Sequence, residues 1–261
     1  MCNDIRKTNP VKYYGLYAKL GVFRKRIKFA DDIIKEALVQ NDQWAVAVSG
    51  GKDSTVMLDL CFEAGWRGAL FHFRYKETPI ENTALCISLA ENYGLRLDIV
   101  DVPGAFDVFE EFGFFVSAGN AAQQFAVKQM LSDYKRIADE FTEEKKYQGL
   151  FIGMRKEESK VRAITISKYG MIYQTANRKT KTCCPIALFG GKDIWAYIFS
   201  RKLPYLSIYD KTDNREKQRS ELTWLDTESL WRYGQGRKYK QMFPSQWNEY
   251  VKKWPELAVI L

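Results

Sequence analysis

The stretch Ala45–Val46–Ala47–Val48–Ser49–Gly50–Gly51–Lys52–Asp53–Ser54–Thr55 constrains the fold of this chain more than any other. Small and β-branched residues behind Trp44 read as a buried strand of a parallel sheet. Two glycines turn the chain, and Val56, Met57, Leu60, Cys61 and Ala64 then follow a helical spacing. A strand, a Gly-Gly turn and a helix N-terminus make an anion site, because free backbone N–H groups and the positive end of the helix dipole face one spot. The glycines let backbone approach a phosphate closely, Ser49, Ser54 and Thr55 offer hydroxyls, and Lys52 offers a point charge. The spacing excludes a Walker loop, which places four residues between its glycines, whereas here the glycines are adjacent and Asp53 follows the lysine. The plainer alternative is an ordinary strand-to-helix turn that happens to carry two glycines.

The chain has 261 residues and is 46% hydrophobic, enough for one large α/β domain or a domain with an elaborate tail. A formal net charge of +8 points to an anionic partner, nucleotide or nucleic acid. No long apolar run and no hydrophobic leader core are present, which predicts a cytoplasmic protein without a membrane partner. Five cysteines (Cys2, Cys61, Cys86, Cys183, Cys184) lack disulfide-like spacing and fit a reducing compartment. With His72 the sole histidine, zinc hydrolase chemistry is nearly excluded.

Along the chain, residues 1–28 form a basic N-terminal segment with Arg24, Lys25, Arg26 and Lys28, readable as a cationic arm or as a solvated face. A helix is predicted from Phe29, then strands at 44–48, 68–73, 96–102 and 150–153 with helices between them. This alternation predicts a doubly wound, mostly parallel α/β sheet over residues 29–210. Residues 104–120 are aromatic and read as irregular. Residues 211–261 form a C-terminal extension in which Arg, Lys, Trp and Tyr interleave, a pattern that serves either nucleic-acid binding or packing on the sheet domain. In a doubly wound sheet, ligands bind beyond the carboxyl ends of the strands, so Gly153 and Arg155, just after the fourth strand, are candidate phosphate contacts.

Three ordered motifs now carry a resemblance. Ser49–Thr55 looks like the pyrophosphate loop of the adenine nucleotide α-hydrolase-like enzymes. Gly153–Arg162 (G-M-R-K-E-E-S-K-V-R) resembles the G-x-R-x-x-E-S-x-x-R segment of the phosphoadenylyl-sulfate reductase family. The run Asp193–Ile198 with Leu203–Tyr205 and Ile208–Asp210 is similar to that family's D-V-W-x-Y-I…I-P-Y…L-Y-D stretch. The resemblance covers roughly residues 30 to 212 and implies a Rossmann-like nucleotide domain. It implies nucleotide contacts at Ser49, Gly50, Gly51, Lys52, Asp53, Ser54, Thr55, His72, Phe73, Gly153 and Arg155, with catalysis by Lys52, Asp53, Arg155 and Arg162. Cofactors so implied are ATP and Mg2+, the latter on Asp53.

The departures narrow the activity. Reductases of this family carry a cysteine in a C-terminal E-C-G-[IL]-H motif, and no cysteine follows Cys184 here. An iron–sulfur cluster needs four thiolates, and only the first pair, Cys183–Cys184, is present, which argues against a cluster within one chain. The family's usual D-T-G after the second strand is replaced by His72–Phe73–Arg74. Cys183 and Cys184 follow Arg178, Lys179 and Lys181, so they read either as a sulfur relay with cation-depressed thiols or as a buried pair. The expected function is an ATP pyrophosphatase that adenylates a substrate for sulfur insertion, similar to that component of bacterial DNA phosphorothioation systems, with DNA and a cysteine desulfurase as partners. The alternatives are a divergent phosphoadenylyl-sulfate or adenylyl-sulfate reductase, and a nucleotide-sensing DNA-binding module.

Overall fold

The computed structural model describes residues 9–41, 43–112, 121–176, 178–211, 215–216 and 235–258. The chain divides into two compact units. The first comprises Met1–His72, Glu81–Ile99 and Phe141–Leu206, and the second Phe73–Ile80, Val100–Glu140 and Ser207–Leu261.

The first unit opens with α1 (Pro10–Tyr17) and α2 (Gly21–Gln40). Asn9 caps α1 by accepting the Lys12 N–H at 3.0 Å, and Pro10 sits at the first helical positions, where its missing N–H costs nothing. Helix α2 begins eight residues before the predicted Phe29, so the expected boundary at residue 28 falls inside it. The cause is an apolar stripe that already includes Phe23 and continues through Ala30, Ile34 and Ala37, all buried. Arg24, Lys25 and Lys28 occupy the solvent side of the same helix, while Arg26 pairs with the buried Asp193.

The predicted doubly wound sheet is present. Strands β1 (Trp44–Ala47), β2 (Leu70–Arg74), β3 (Leu97–Asp101), β4 (Gly149–Phe151), β5 (Ile172–Tyr173) and β6 (Lys181–Cys183) form one six-stranded sheet. Their order is β3-β2-β1-β4-β6-β5. β1 runs parallel to β2 (Val46 opposite Leu70) and to β4 (Ala45 opposite Leu150), and β4 runs parallel to β6. The edge pair β5–β6 is antiparallel. The order reverses between β1 and β4, so their following loops diverge and leave a crevice at the carboxyl ends. β5 and β6 were not predicted, because Lys181–Thr182–Cys183 and a two-residue edge strand carry no apolar alternation.

Helices α3 (Lys52–Glu63), α4 (Ile80–Tyr93), α7 (Lys160–Tyr169) and α8 (Gly191–Arg201) follow their strands. Trp44 anchors the core: its indole donates to Ala37 O at 3.0 Å, Trp66 donates to Trp44 O at 2.8 Å, and Phe151 lies 4.8 Å away, ring to ring. A buried carboxylate ties three helices together. Asp59 of α3 accepts from Tyr93 of α4 and, at 2.7 Å, from Tyr197 of α8, and it pairs with Arg201 Nε at 3.0 Å. Each lone-pair side of this 2%-exposed residue meets a donor, which is what a buried charge requires.

In the second unit, residues 105–112, expected to be irregular, form helix α5 (Ala105–Phe112), with Asp107 accepting from Gly104 N at 2.8 Å. Phe106 meets Tyr250 and Trp254 edge-on at 4.6 and 4.8 Å. The same unit holds most of α6 (Ala121–Glu144), then α9 (Gln235–Met242) and α10 (Pro244–Lys253). Tyr239, Trp247 and Trp254 are buried there, so these tail aromatics serve packing. Lys217, Arg219, Trp224, Trp231, Arg232 and Tyr233, singled out for nucleic acid, lie outside the described residues, as do residues 113–120. Among the described residues, no helix is long and apolar enough to cross a membrane.

Replacing Asp59 by Ala leaves two buried tyrosine hydroxyls and one guanidinium group without their acceptor. The expected loss is about 3 kcal/mol of unfolding free energy, measured by urea denaturation.

Candidate active site

The Gly-Gly turn after β1 is built by steric necessity. Gly50 has φ +68, and a Cβ there would lie 2.6 Å from Asn82 O, so both conformation and space demand glycine. Ser54 Oγ donates to Gly51 O at 2.9 Å and accepts from Ser49 N at 3.2 Å, while Thr55 Oγ1 donates to Gly51 O at 3.1 Å. These hydroxyls therefore brace the turn. The ligand-facing donors are left to the first backbone N–H groups of α3, which begins at Lys52.

Lys52 and Asp53 open that helix. Lys52 is 1% exposed, and its Nζ meets Asp53 Oδ2 at 2.9 Å. From the neighbouring strand, β4 leads through Gly153 to Arg155. A Cβ on Gly153 would lie 3.1 Å from Ser54 N, so this glycine lets the β4 exit pass against the start of α3. Arg155 Nε then lies 2.7 Å from Asp53 Oδ1, an ion pair whose angles leave both buried atoms without a hydrogen bond. Asp53 thus stands between two cations supplied by adjacent strands. The two motifs separated in sequence by about a hundred residues meet on one carboxylate.

Arg155 is surrounded by acid. Its Nη1 pairs with Glu157, and its backbone N–H donates to Glu158 Oε2 at 3.0 Å. Burial pulls the guanidinium pKa down, but attraction to Asp53, Glu157 and Glu158 carries it above the usual value, so the charge is permanent. Arg162, on the first turn of α7, pairs with Glu158, so it braces the acid beside Arg155. Glu157 reaches farther: its Oε1 also accepts from Gly191 N at 2.8 Å, at the start of α8.

His72 is 2% exposed at the carboxyl half of β2. Its Nδ1 lies 3.0 Å from Val48 O, a pure acceptor, so Nδ1 carries the proton, and Nε2, 3.1 Å from Thr83 Oγ1, accepts. That tautomer ties β2 to α4 beside the loop. Phe73 belongs to the second unit, where it meets Tyr134 edge-on at 5.7 Å. Sequence reasoning gave no role to Glu157, Glu158 or Asn82. Glu158 lay inside the quoted E-S motif, whereas Asn82 and Glu157 carried no signal.

The cysteines run against the depressed-thiol expectation. Cys61, Cys86, Cys183 and Cys184 are all buried, and none of these described cysteines is in a disulfide. Burial pushes the Cys183 thiol well above its usual range, and it carries the Cys184 thiol up to about 12 against the opposing pull of Tyr173 and Arg162. Cys184 packs with Ile166 and Ala187 in an apolar cluster.

Among the described residues, no group of three or more His, Cys, Asp or Glu side chains is placed to hold a metal ion. Magnesium, however, commonly takes one carboxylate and completes its shell with phosphate oxygens and water. Asp53 is the carboxylate at this helix start, but Oδ2 is paired with Lys52 and Oδ1 with Arg155, so a magnesium ion there would have to take the place of one of these cations.

A family model described as the phosphoadenosine phosphosulfate reductase domain matches residues 43–215. A comparison with curated proteins gives no match. Among solved structures, phosphoadenylyl-sulfate reductase from Candida auris, a phosphate complex, superposes with TM-score 0.54 and 14% identity over 77% of this chain and 90% of that one. Yeast FAD synthetase in complex with FAD superposes with TM-score 0.50 and 15% identity, covering 77% and 69% respectively. At these identities, the likeness establishes the fold.

Two outcomes are expected. G50A combines a left-handed backbone penalty of about 1 kcal/mol with a clash against Asn82, so it should lower the thermal midpoint and abolish binding of a fluorescent ATP analogue. Cys184, protonated at pH 8, should react with iodoacetamide at a rate limited by unfolding; mass spectrometry of alkylated peptides with and without denaturant measures this.

Proposed function

The chain belongs to the phosphoadenosine phosphosulfate reductase domain family, and from that premise we propose that it is an ATP pyrophosphatase that adenylates an acceptor for sulfur insertion. The observation that carries the reading is the cation–carboxylate–cation array Lys52–Asp53–Arg155 at the N-terminus of α3, in the crevice between β1 and β4. Cleavage between the α- and β-phosphates needs positioning and charge neutralisation far more than covalent help. The amides at Gly51, Lys52 and Asp53 hold the leaving pyrophosphate on the helix dipole. Lys52 neutralises it, and Arg155, across the crevice, faces the α-phosphate. An acceptor oxygen attacks the α-phosphorus, the bond to the bridging oxygen breaks, and pyrophosphate departs with the electron pair. Magnesium, if it took the place of one of these cations on Asp53, would further neutralise the phosphate oxygens. Asp53 itself holds the two cations at fixed spacing.

The second stage is sulfur transfer. The described cysteines are buried, and burial raises the Cys61, Cys183 and Cys184 thiols, which favours sulfur from outside the chain over an internal thiolate and weighs against the reductase reading. A donor protein of the cysteine desulfurase type and a nucleic-acid acceptor, DNA in the phosphorothioation reading, complete the proposal. The net charge of +8 suits a polyanionic acceptor.

The test uses ATP labelled at the α- or the γ-phosphate, with magnesium, with and without DNA. Labelled AMP and pyrophosphate are expected, and ADP with phosphate would overturn the nucleotide assignment. R155A should lower kcat about a hundredfold or more while the protein stays folded, as loss of a charged stabiliser of the reacting phosphate does. Unchanged turnover would remove Arg155 from the reaction.

A further inference from the structure

The amino ends of the strands, opposite the crevice, hold a second cationic place. A cavity of about 450 Å3 opens there, bounded by the turns that lead into β1, β2, β3 and β4. All of its lining residues belong to the first unit. Arg67 and Arg96 come from the turns before β2 and β3, and Lys145 and Lys146 from the turn before β4. Among the described residues that line the cavity, these four cations face no carboxylate. Its floor is tightly packed: a Cβ on Gly68 would lie 2.5 Å from Trp44 O and 2.8 Å from Trp66 Nε1. The extended chain from Trp44 to Ser49 spans about 16 Å, so a small ligand here lies clear of the nucleotide loop.

The four cations are not equally matched. Arg96 Nη2 lies 3.1 Å from Asp98 and donates to the Tyr147 hydroxyl at 2.9 Å, and Lys145 Nζ lies 3.2 Å from Glu144. Arg67 Nη1 donates instead to two backbone carbonyls, Phe62 O at 2.6 Å and Trp66 O at 2.7 Å. Its guanidinium lies 3.6 Å from the centre of the Phe62 ring. Carbonyls and a ring fix its place but leave its charge unneutralised. Among the described residues, no carboxylate pairs with Arg67 or Lys146. Two acids therefore answer two of the four cations, and two positive charges are left at the cavity. The backbone of Lys146 is a separate observation. It is held at φ +57, the left-handed region that glycine fills most easily at a helix end. Its N–H donates to Glu143 O at 3.0 Å and that of Tyr147 to Thr142 O at 2.9 Å, so the turn closing α6 fixes this conformation. A lysine thus stands where glycine would fit better, at the rim of the cavity.

We propose that this cavity binds a small organic phosphate monoester, with the phosphate held between Arg67 and Lys146. A phosphate monoester carries about −1.5 to −2 charge near pH 7, which matches the two unanswered cations. A guanidinium grips phosphate oxygens through paired N–H donors, and an ammonium group adds a point charge. The volume is more than a bare phosphate fills and lies within the range of small-ligand sites, about 300–1,000 Å3. Ala69, Leu95 and Tyr147 give the lining apolar surface for the organic body. A backbone phosphodiester carries a single charge and would leave one of the two cations unmatched. The proposal does not depend on the nucleotide reading, since cavity and crevice lie at opposite ends of the same strands.

The experiment measures binding of ribose 5-phosphate by titration calorimetry at constant ionic strength, with ribose and dimethyl phosphate as controls. Wild type is expected to bind ribose 5-phosphate and to bind both controls about tenfold more weakly or worse. K146G relieves the backbone and removes the ammonium group, so its thermal midpoint should match or exceed wild type while affinity falls about tenfold. R67Q should lower affinity by a similar factor, and R155A, in the crevice, should leave it unchanged. The proposal is overturned if wild type does not bind, or if K146G or a folded R67Q keeps full affinity. Binding lost in R155A would place the ligand in the crevice and overturn it as well. Dimethyl phosphate bound as tightly as the monoester would overturn it in favour of a surface for nucleic-acid backbone. Should R67Q fail to fold, K146G decides alone, because glycine suits that backbone better than lysine does.

Discussion

The first unit is arranged around one carboxylate. Asp53 sits where the first turn of α3 meets the exit of β4, and it holds Lys52 from one side and Arg155 from the other. Two cations so close would repel without it, and neither could stay nearly buried. The requirement propagates outward. Gly50 must adopt a positive φ to bring α3 into place, Gly153 must lack a side chain to let β4 pass, and Asp59 clamps the far part of α3 to α4 and α8. The β1–β4 neighbour relation, which makes the crevice, also makes the ion pair.

The site has an unusual balance for an anion-binding centre. Its hydroxyls turn inward to brace the loop, and its guanidinium is matched by acids on several sides. Within this cluster of matched charges, what is left to offer an anion is the first backbone N–H groups of a helix rather than a standing positive potential. The thiols of Cys183 and Cys184, buried and held well above their usual range, offer no ready nucleophile beside this site, in keeping with the proposed external sulfur donor.

Much of this was legible in the sequence because it depends on local rules. A strand of small apolar residues, adjacent glycines and a helical stripe have few alternative arrangements, and β1 through α3 follow them. The first four strands were legible for the same reason. What escaped was set by tertiary partners. β6 is a strand because β4 offers it an edge, although Lys181 and Thr182 carry no pattern. The early start of α2 depends on Phe23 finding a buried place, so the basic cluster belongs to a packed helix and not to a free arm. Arg155 was legible from its position after a strand, but the acids around it were not, since Glu157 reads as one more charge in K-E-E until Gly191 is brought to it. The two readings of Cys183 and Cys184 stayed open in the sequence because neighbouring charge is visible there and burial is not.

The central claim is that the turn at Gly50–Asp53 grips the outer phosphates of a nucleotide. A crystal structure with the non-cleavable α,β-methylene analogue of ATP tests it most directly. The account predicts the β- and γ-phosphates on the amides of Gly51, Lys52 and Asp53, with the α-phosphate toward Arg155. Phosphates bound anywhere else, or a triphosphate whose γ-end points at Arg155, would contradict it.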